Sequence, residues 1–411
     1  MHIAIDPGAA AVLDALHRAG HRAYLVGGCV RDSLAGRAPQ DWDICTSARP
    51  DQTLALFGET QCIPTGLQHG TVTVRQGGGL YEVTTFRVEE GYTDGRHPDH
   101  VAFVADVKAD LARRDFTINA MAYDPAEGLI DPFGGREDLL VRRVVRAVGE
   151  PARRFEEDGL RILRLYRFGA REELALDPAT ARAALQERAR LGCVSAERIW
   201  QELAKLLAAR RPGRWMPFAV LELLLPGLDG AQYPGSIRAV DALPPDPLAR
   251  LAALLAPAGP EKAARALEKL RCSRAEAAEV LALVKESGLA LTGEAPRLQA
   301  RRLLARLDPG TVRRLLALRQ AQTGEKGFAA LASAAAALEQ EQACCRVAQL
   351  AVNGQDLLAL GVRPGPEVGR LLSAALEQVV EEKLPNDRAA LLGWLRTQQI
   401  PRTQEKLCKT R

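Results

Sequence analysis

Tyr24-Leu25-Val26-Gly27-Gly28-Cys29-Val30-Arg31-Asp32, followed by Asp41-Trp42-Asp43-Ile44-Cys45, reads as a strand, a glycine turn, a helix and a second strand. Aspartates at i and i+2 on a strand share a face. Trp42 and Ile44 are apolar and suit the opposite, core-facing side. Two carboxylates on one face, beside glycines whose backbone N–H groups can approach a triphosphate, suit two-metal chemistry. Such sites hold two Mg²⁺ ions about 3.5–4 Å apart and clamp both oxygens of an in-line displacement. Taken alone, the pair fits a solvated strand edge equally well; the rest of the chain decides.

Around this stretch, residues 1–135 read as mixed α/β. Asp6–Arg18 suits a helix stopped at Gly20, and Val30–Leu34 and Gln52–Phe57 are further helical stretches. Ala23–Val26, Trp42–Cys45, Thr71–Arg75 and Tyr81–Arg87 are β-rich. Gly77-Gly78-Gly79 marks a hairpin between the last two, and Pro125-Ala126-Glu127 turns Met121–Tyr123 back onto Gly128–Asp131. Residues 88–105, polar and rich in turn formers, read as a mobile loop. From Arg136 onward the pattern becomes almost wholly helical, with apolar residues at i, i+3 and i+4 over Ser195–Ala209, Pro247–Leu255, Glu261–Leu270 and Arg274–Val284. Prolines and glycines punctuate these runs, and no strand is expected there. The fold class is therefore α+β, a mixed sheet with helices followed by an elongated all-α portion.

The chain's 411 residues predict two to four domains and an ample core. A formal charge of +4 permits a nucleic-acid partner without demanding one. The eight cysteines include no C-x-x-C pair, which argues against a zinc framework or a disulfide scaffold. All six histidines fall within the first 100 residues, so His-dependent chemistry is excluded from the rest. No signal peptide and no apolar run of about 18 residues is visible. A reduced, cytoplasmic protein is expected, with no membrane and no protein partner evident.

Two further constellations carry chemistry. Arg113-Arg114-Asp115-Phe116-Thr117-Ile118-Asn119-Ala120 gathers two arginines, a carboxylate and an amide within about two helical turns. It reads either as a capped helix start or as a nucleotide clamp, since guanidinium forks suit phosphate and ribose oxygens; Asn119 could contact the sugar. In Glu157-Asp158-Gly159-Leu160-Arg161, a helix would make Asp158 and Arg161 neighbours. They could be a surface ion pair, or they could read a base. Cytosine and adenine each place an amino donor beside a ring-nitrogen acceptor, matching a carboxylate beside an arginine. Guanine and uracil present the reverse and would leave buried groups unpaired.

In order and spacing, Gly27-Gly28-x-Val30-Arg31-Asp32 with Asp41-x-Asp43, then Arg113–Ala120, then Glu157-Asp158-x-x-Arg161-x-x-Arg164-x-x-Arg167-Phe168 resemble the class II (bacterial and eukaryotic type) tRNA nucleotidyltransferases and bacterial poly(A) polymerases. The resemblance covers residues 22–205, Val194–Ile199 falling in the region that braces the family's nucleotide site. More weakly, Asn353–Leu358 with Gly365-Pro366-x-Val368-Gly369 resembles the tail of Gram-positive-type CCA-adding enzymes. It implies a polymerase-beta-like catalytic head (1–138), a base-recognising neck (139–210) and a tRNA-binding body and tail (211–411).

Residue by residue, it implies that Asp41 and Asp43 bind Mg²⁺, with Glu82 as third carboxylate and Asp115 as its rival. Gly28 and Arg31 would meet the nucleotide's phosphates. Arg114, Asp115, Asn119, Arg164 and Arg167 would make further nucleotide contacts, and Asp158 and Arg161 would read the base. The implied activity is template-independent addition of C, C and A to the tRNA 3′ end from CTP and ATP, releasing pyrophosphate. The full-length loop at 88–105 resembles that of enzymes able to switch from C to A. An A-adding enzyme or a poly(A) polymerase is the alternative. An RNA-binding protein on a decayed scaffold would not keep these carboxylates, and a small-molecule nucleotidyltransferase would not need the long helical portion. Arg136, Arg142, Arg143, Arg146, Arg153 and Arg154, with Lys406, Lys409 and Arg411, are candidate RNA contacts.

Overall fold

The computed structural model describes residues 3–67, 70–90 and 100–398. The chain divides into two compact units, Met1–Leu228 with Arg265–Cys272 and Asp229–Ala264 with Ser273–Arg411.

The first unit begins with helix α1 (Pro7–Arg18), whose N-cap Asp6 accepts from the Gly8 and Ala9 N–H groups at 3.0 and 3.1 Å. There follow β1 (Ala23–Val26), α2 (Gly28–Leu34), β2 (Ile44–Thr46), α3 (Pro50–Phe57), β3 (Cys62–Gly66), β4 (Thr71–Gln76) and β5 (Gly79–Thr85). Strands β6 (Arg87–Glu90) and β7 (His100–Phe103), helix α4 (Val107–Ala112) and strands β8 (Ala122–Asp124) and β9 (Gly128–Ile130) complete the α/β part. Seven strands form one mixed sheet in the order β3-β4-β5-β2-β1-β8-β9, with β2 and β5 parallel. All four residues of β1 are buried, as a central strand covered on both faces requires. The expected hairpin is present: Gln76 pairs with Gly79, and Gly77 and Gly78 take φ +57° and +85°, the left-handed values of a two-residue turn. Asp124 caps the other turn by accepting from the Ala126 and Glu127 N–H groups.

Several boundaries differ from expectation for traceable reasons. The Trp42–Cys45 strand starts at Ile44. Register pairs Leu25 with Ile44, and the Val26 N–H still donates to the Asp43 carbonyl at 3.0 Å, but β1 then turns away at Gly27. Asp41 and Asp43 are thus the extended lead-in to β2, not part of its ladder. Ile44 is buried, as expected, while Trp42 is half-buried. The Tyr81–Arg87 run splits at Phe86, which is wholly buried and donates its N–H to the Thr46 carbonyl. The ends of the stretch 88–105 are not loop: β6 and β7 pair antiparallel. The tip of that stretch, including Asp94 and Arg96, lies outside the described residues, as do Lys406, Lys409 and Arg411.

After β9 the chain forms α5 (Gly135–Glu137), which runs into a π-helical turn at Asp138–Arg142, and then β10 (Val144–Val145), α6 (Pro151–Glu157) and α7 (Leu160–Glu172). Next come β11 (Ala175–Leu176), α8 (Pro178–Gln186), α9 (Ala196–Leu207) and α10 (Phe218–Leu224). The two-residue strands β10 and β11 pair in parallel, a correction to the all-helical expectation. In the second unit, helices such as Pro247–Leu255 and Arg274–Lys285 match their sequence periodicity, and Pro366–Val380 is a further helix. Ser273 with Glu276, and Asn353 with Asp356, form capping boxes. Among the described residues, no helix is long and apolar enough to cross a membrane.

Candidate active site

Gly27 links β1 to α2 with φ +76° and ψ −121°, a conformation essentially reserved for glycine. A Cβ there would also stand 3.1 Å from Arg114 Nη1. Gly27→Ala should therefore cost about 1–3 kcal/mol in backbone strain and displace Arg114; urea unfolding measures the first effect and nucleotide affinity the second.

Asp41, Asp43 and Glu82 line the cleft beside this turn. Burial, then the charges of Glu82 and Asp41, push the Asp43 carboxyl up to about 6, with Arg114 opposing them. Carboxylates crowded in this way provide hard oxygen donors suited to a divalent cation. Among the described residues, no three His, Cys, Asp or Glu side chains already form a metal cage. Glu82 acts electrostatically on Asp43, whereas Asp115 is committed to other partners.

Arg113–Ala120 is not one helix. Arg113 ends α4, Phe116 is extended and bridges to Ala147, and Thr117–Asn119 makes a single 3₁₀ turn. This break turns Asp115 and Asn119 inward. Asp115 accepts from Arg164 Nη2 at 2.6 Å and Nε at 2.8 Å, from Asn119 Nδ2 at 3.1 Å and from the Phe116 N–H at 2.8 Å. Burial alone would raise its pKa, but Arg164 and Asn119 hold it at about 2. Asn119 Oδ1 accepts from Arg31 Nη1 at 2.6 Å, so its amide braces Arg31 and Asp115 together. Phe168, buried on α7, lies beneath three guanidinium groups: Arg167 at 3.8 Å and Arg31 and Arg164 each at 5.3 Å from its ring centre. Arg167 also donates to the buried Glu202 of α9.

Asp158 and Arg161 are not an i, i+3 helix pair. Asp158 sits in the break between α6 and α7 with φ −147° and ψ 106°. Its Oδ1 accepts from the Leu160 N–H at 3.0 Å and its Oδ2 from Arg198 Nη2 at 2.8 Å. Arg161 donates instead to Glu157 Oε2 at 2.6 Å and to the carbonyls of Arg113 and Arg154. The extended backbone at Asp158 swings its carboxylate towards α9, leaving Glu157 as Arg161's i−4 partner.

One cleft of about 770 Å³ nevertheless brings together every residue expected at the site, from Gly28, Arg31 and the carboxylates to Arg114, Asp115, Asn119, Asp158, Arg161, Arg164 and Arg167. It also holds Arg113 of the expected clamp and Arg198 of the expected bracing segment, and adds Phe168, Arg171 and Lys205, to which the sequence reading gave no role. A signal was there, since Arg161, Arg164, Phe168 and Arg171 recur at three- and four-residue spacing along one side of α7. Part of the basic run offered for RNA is engaged within the fold: Arg142 and Arg146 pair with the buried Asp138, and Arg154 with Glu157.

Residues 23–146 match the poly A polymerase head domain, residues 173–229 the probable RNA and SrmB-binding site of polymerase A, and residues 249–395 the putative tRNA nucleotidyltransferase domain 2. The chain is 37% identical to the CCA-adding enzyme of Lactobacillus delbrueckii subsp. bulgaricus, covering 93% of this chain and 96% of that protein. It is 36% identical to the CCA-adding enzyme of Geobacillus stearothermophilus, covering 97% and 98%. Its fold superposes on a crystal structure of the Bacillus stearothermophilus CCA-adding enzyme in complex with CTP with a TM-score of 0.80, at 33% identity over 95% of this chain and 97% of that one. The domain matches and the near full-length relatedness agree: the chain belongs to the CCA-adding enzyme family of nucleotidyltransferases.

Proposed function

We propose that this protein adds C, C and A to the 3′ end of tRNA from CTP and ATP without a template, releasing pyrophosphate. One observation carries the reading: the acidic pair Asp41 and Asp43, the base-reading candidates Asp158 and Arg161, and several arginines line the same cleft. Asp41 and Asp43, with Glu82 near by, would hold Mg²⁺, which when bound supplies electrostatic stabilisation of the transferring phosphoryl group. Arg31, Arg114, Arg164 and Arg167 offer a cationic wall for the triphosphate, and Asn119 and Asp115 hold two of them in place. Asp158 accepts from the amino group of cytosine or adenine while Arg161 donates to the adjacent ring nitrogen. Residues 1–138 serve as head, 139–210 as neck and 211–411 as the tRNA-holding body and tail.

Incorporation of each of the four nucleotides into tRNA lacking its 3′ CCA tests this reading. The wild type should incorporate C and A and refuse G and U. Asp158→Ala should narrow that preference by about tenfold or more, because the group that left guanine and uracil with unpaired polar atoms is gone. An unchanged preference in that variant would remove Asp158 from base selection.

A further inference from the structure

Five charged side chains meet where α2 and the segment after it abut the end of α7. Glu172 of α7 is almost completely enclosed, its side chain 1% exposed, and its Oε1 lies 3.3 Å from Arg31 Nε and 3.5 Å from Arg171 Nε. Arg37 donates to its other oxygen. Asp32 lies 2.8 Å from Arg37, 3.0 Å from Arg31 and 3.4 Å from Arg171. Two acids thus hold three guanidinium groups. Burying the Arg31, Asp32 and Glu172 side chains is expensive, and apolar residues of similar volume would join α2 to α7 at least as firmly. Stability is therefore a poor explanation for it.

Its position suggests a better one. Arg31 lines the nucleotide cleft, 3.8 Å from where a Cβ on Gly28 would stand. Of its five N–H groups, Nε donates to Asp32 and one Nη1 hydrogen to Asn119, while Nη2 lies 3.0 Å from the Asp32 carboxylate. That leaves at least one N–H on each terminal nitrogen. A phosphate-binding fork works only if its rotamer is locked by groups behind it. Asp32 and Asn119 brace Arg31 from its own α/β part, and Glu172 braces it from α7.

We propose that Glu172 is a positioning residue for nucleotide binding: from α7 it fixes Arg31 so that the remaining guanidinium N–H groups face the phosphates common to CTP and ATP. The inference rests on the reading of the cleft given above. Because it acts through phosphates, Glu172 sets affinity for both nucleotides equally and leaves the choice between them untouched.

Calorimetric binding of CTP and ATP to the full-length wild type, Glu172→Gln, Arg31→Ala and the double variant tests it without requiring turnover. Glu172→Gln should weaken both nucleotides by about tenfold, because the buried charge that faces the Arg31 guanidinium at 3.3 Å is gone. In the Arg31→Ala background it should add almost nothing, because its target is gone. Equal binding by Glu172→Gln and wild type, or full additivity with Arg31→Ala, would overturn the assignment. If Glu172→Gln does not fold, Glu172→Asp, which keeps the charge but withdraws it by one methylene, should show the same shared loss; unchanged affinities would count against the proposal. Wild-type protein that binds both nucleotides yet adds none to tRNA would refute the proposed function while leaving this test readable. Wild-type protein that binds neither would refute both.

Discussion

Asp43→Ala is expected to lower nucleotide addition by at least about a thousandfold while leaving tRNA affinity and folding intact. The loss is the scale of removing a preorganised charge-stabilising element from a phosphoryl-transfer site. Folding should survive because Asp43 is crowded in this structure: burial, Glu82 and Asp41 all disfavour its charge. Removing it relieves repulsion, so the variant should melt no earlier than the wild type. That trade of stability for function is common at active sites. Asp41→Ala should lose activity to a similar extent. Single-turnover addition, paired with thermal melting and a tRNA-binding curve, checks all three expectations; substantial activity in either variant would remove the acidic pair from the chemistry.

Phe168→Ala is expected to have the largest effect on stability. The ring is 4% exposed and packs edge-on against Phe116 at 5.7 Å, with an interplanar angle of 74°. Truncating a buried phenylalanine costs about 3–5 kcal/mol. Arg31, Arg164 and Arg167 would also lose the face on which they rest, so nucleotide affinity should fall as well. Phe168→Leu separates the two effects. It restores most of the volume but no π face, so it should recover most of the stability and less of the affinity. Urea unfolding and CTP binding on the two variants measure this; equal recovery of both would show that the ring serves only as packing.

The sequence carried most of the site because its motifs are dense in residues with few alternative uses. Gly27, Asp41 and Asp43, the inward-facing Asp115 and the arginines of α7 all reach one cleft. Less legible was how the side chains pair. Spacing predicts that Asp158 and Arg161 meet on a helix, but the helix breaks at Asp158, and each finds a partner far from it in sequence or across the break. Asn119 reads as a sugar contact, yet in the fold its amide spans Arg31 and Asp115. The Glu172 contacts were invisible for the same reason, since Arg31 lies far from Glu172 in the chain. In the fold, turns and helices declared themselves locally: the Gly77-Gly78 hairpin and the capped helices appear where expected. The short strands β3, β10 and β11 did not, because pairing with distant segments, not composition, makes two to five residues a strand.

CCA addition is defined and self-limiting, and its products reveal it directly. Purified protein with Mg²⁺, CTP and ATP would be given tRNA lacking its last three nucleotides, and separately tRNA ending in CC, and the products sequenced. The expected products are CCA on the first and a single A on the second, with extension then stopping. Addition of A to the CC-ended tRNA alone, or long A tails on either RNA, would contradict the proposed function.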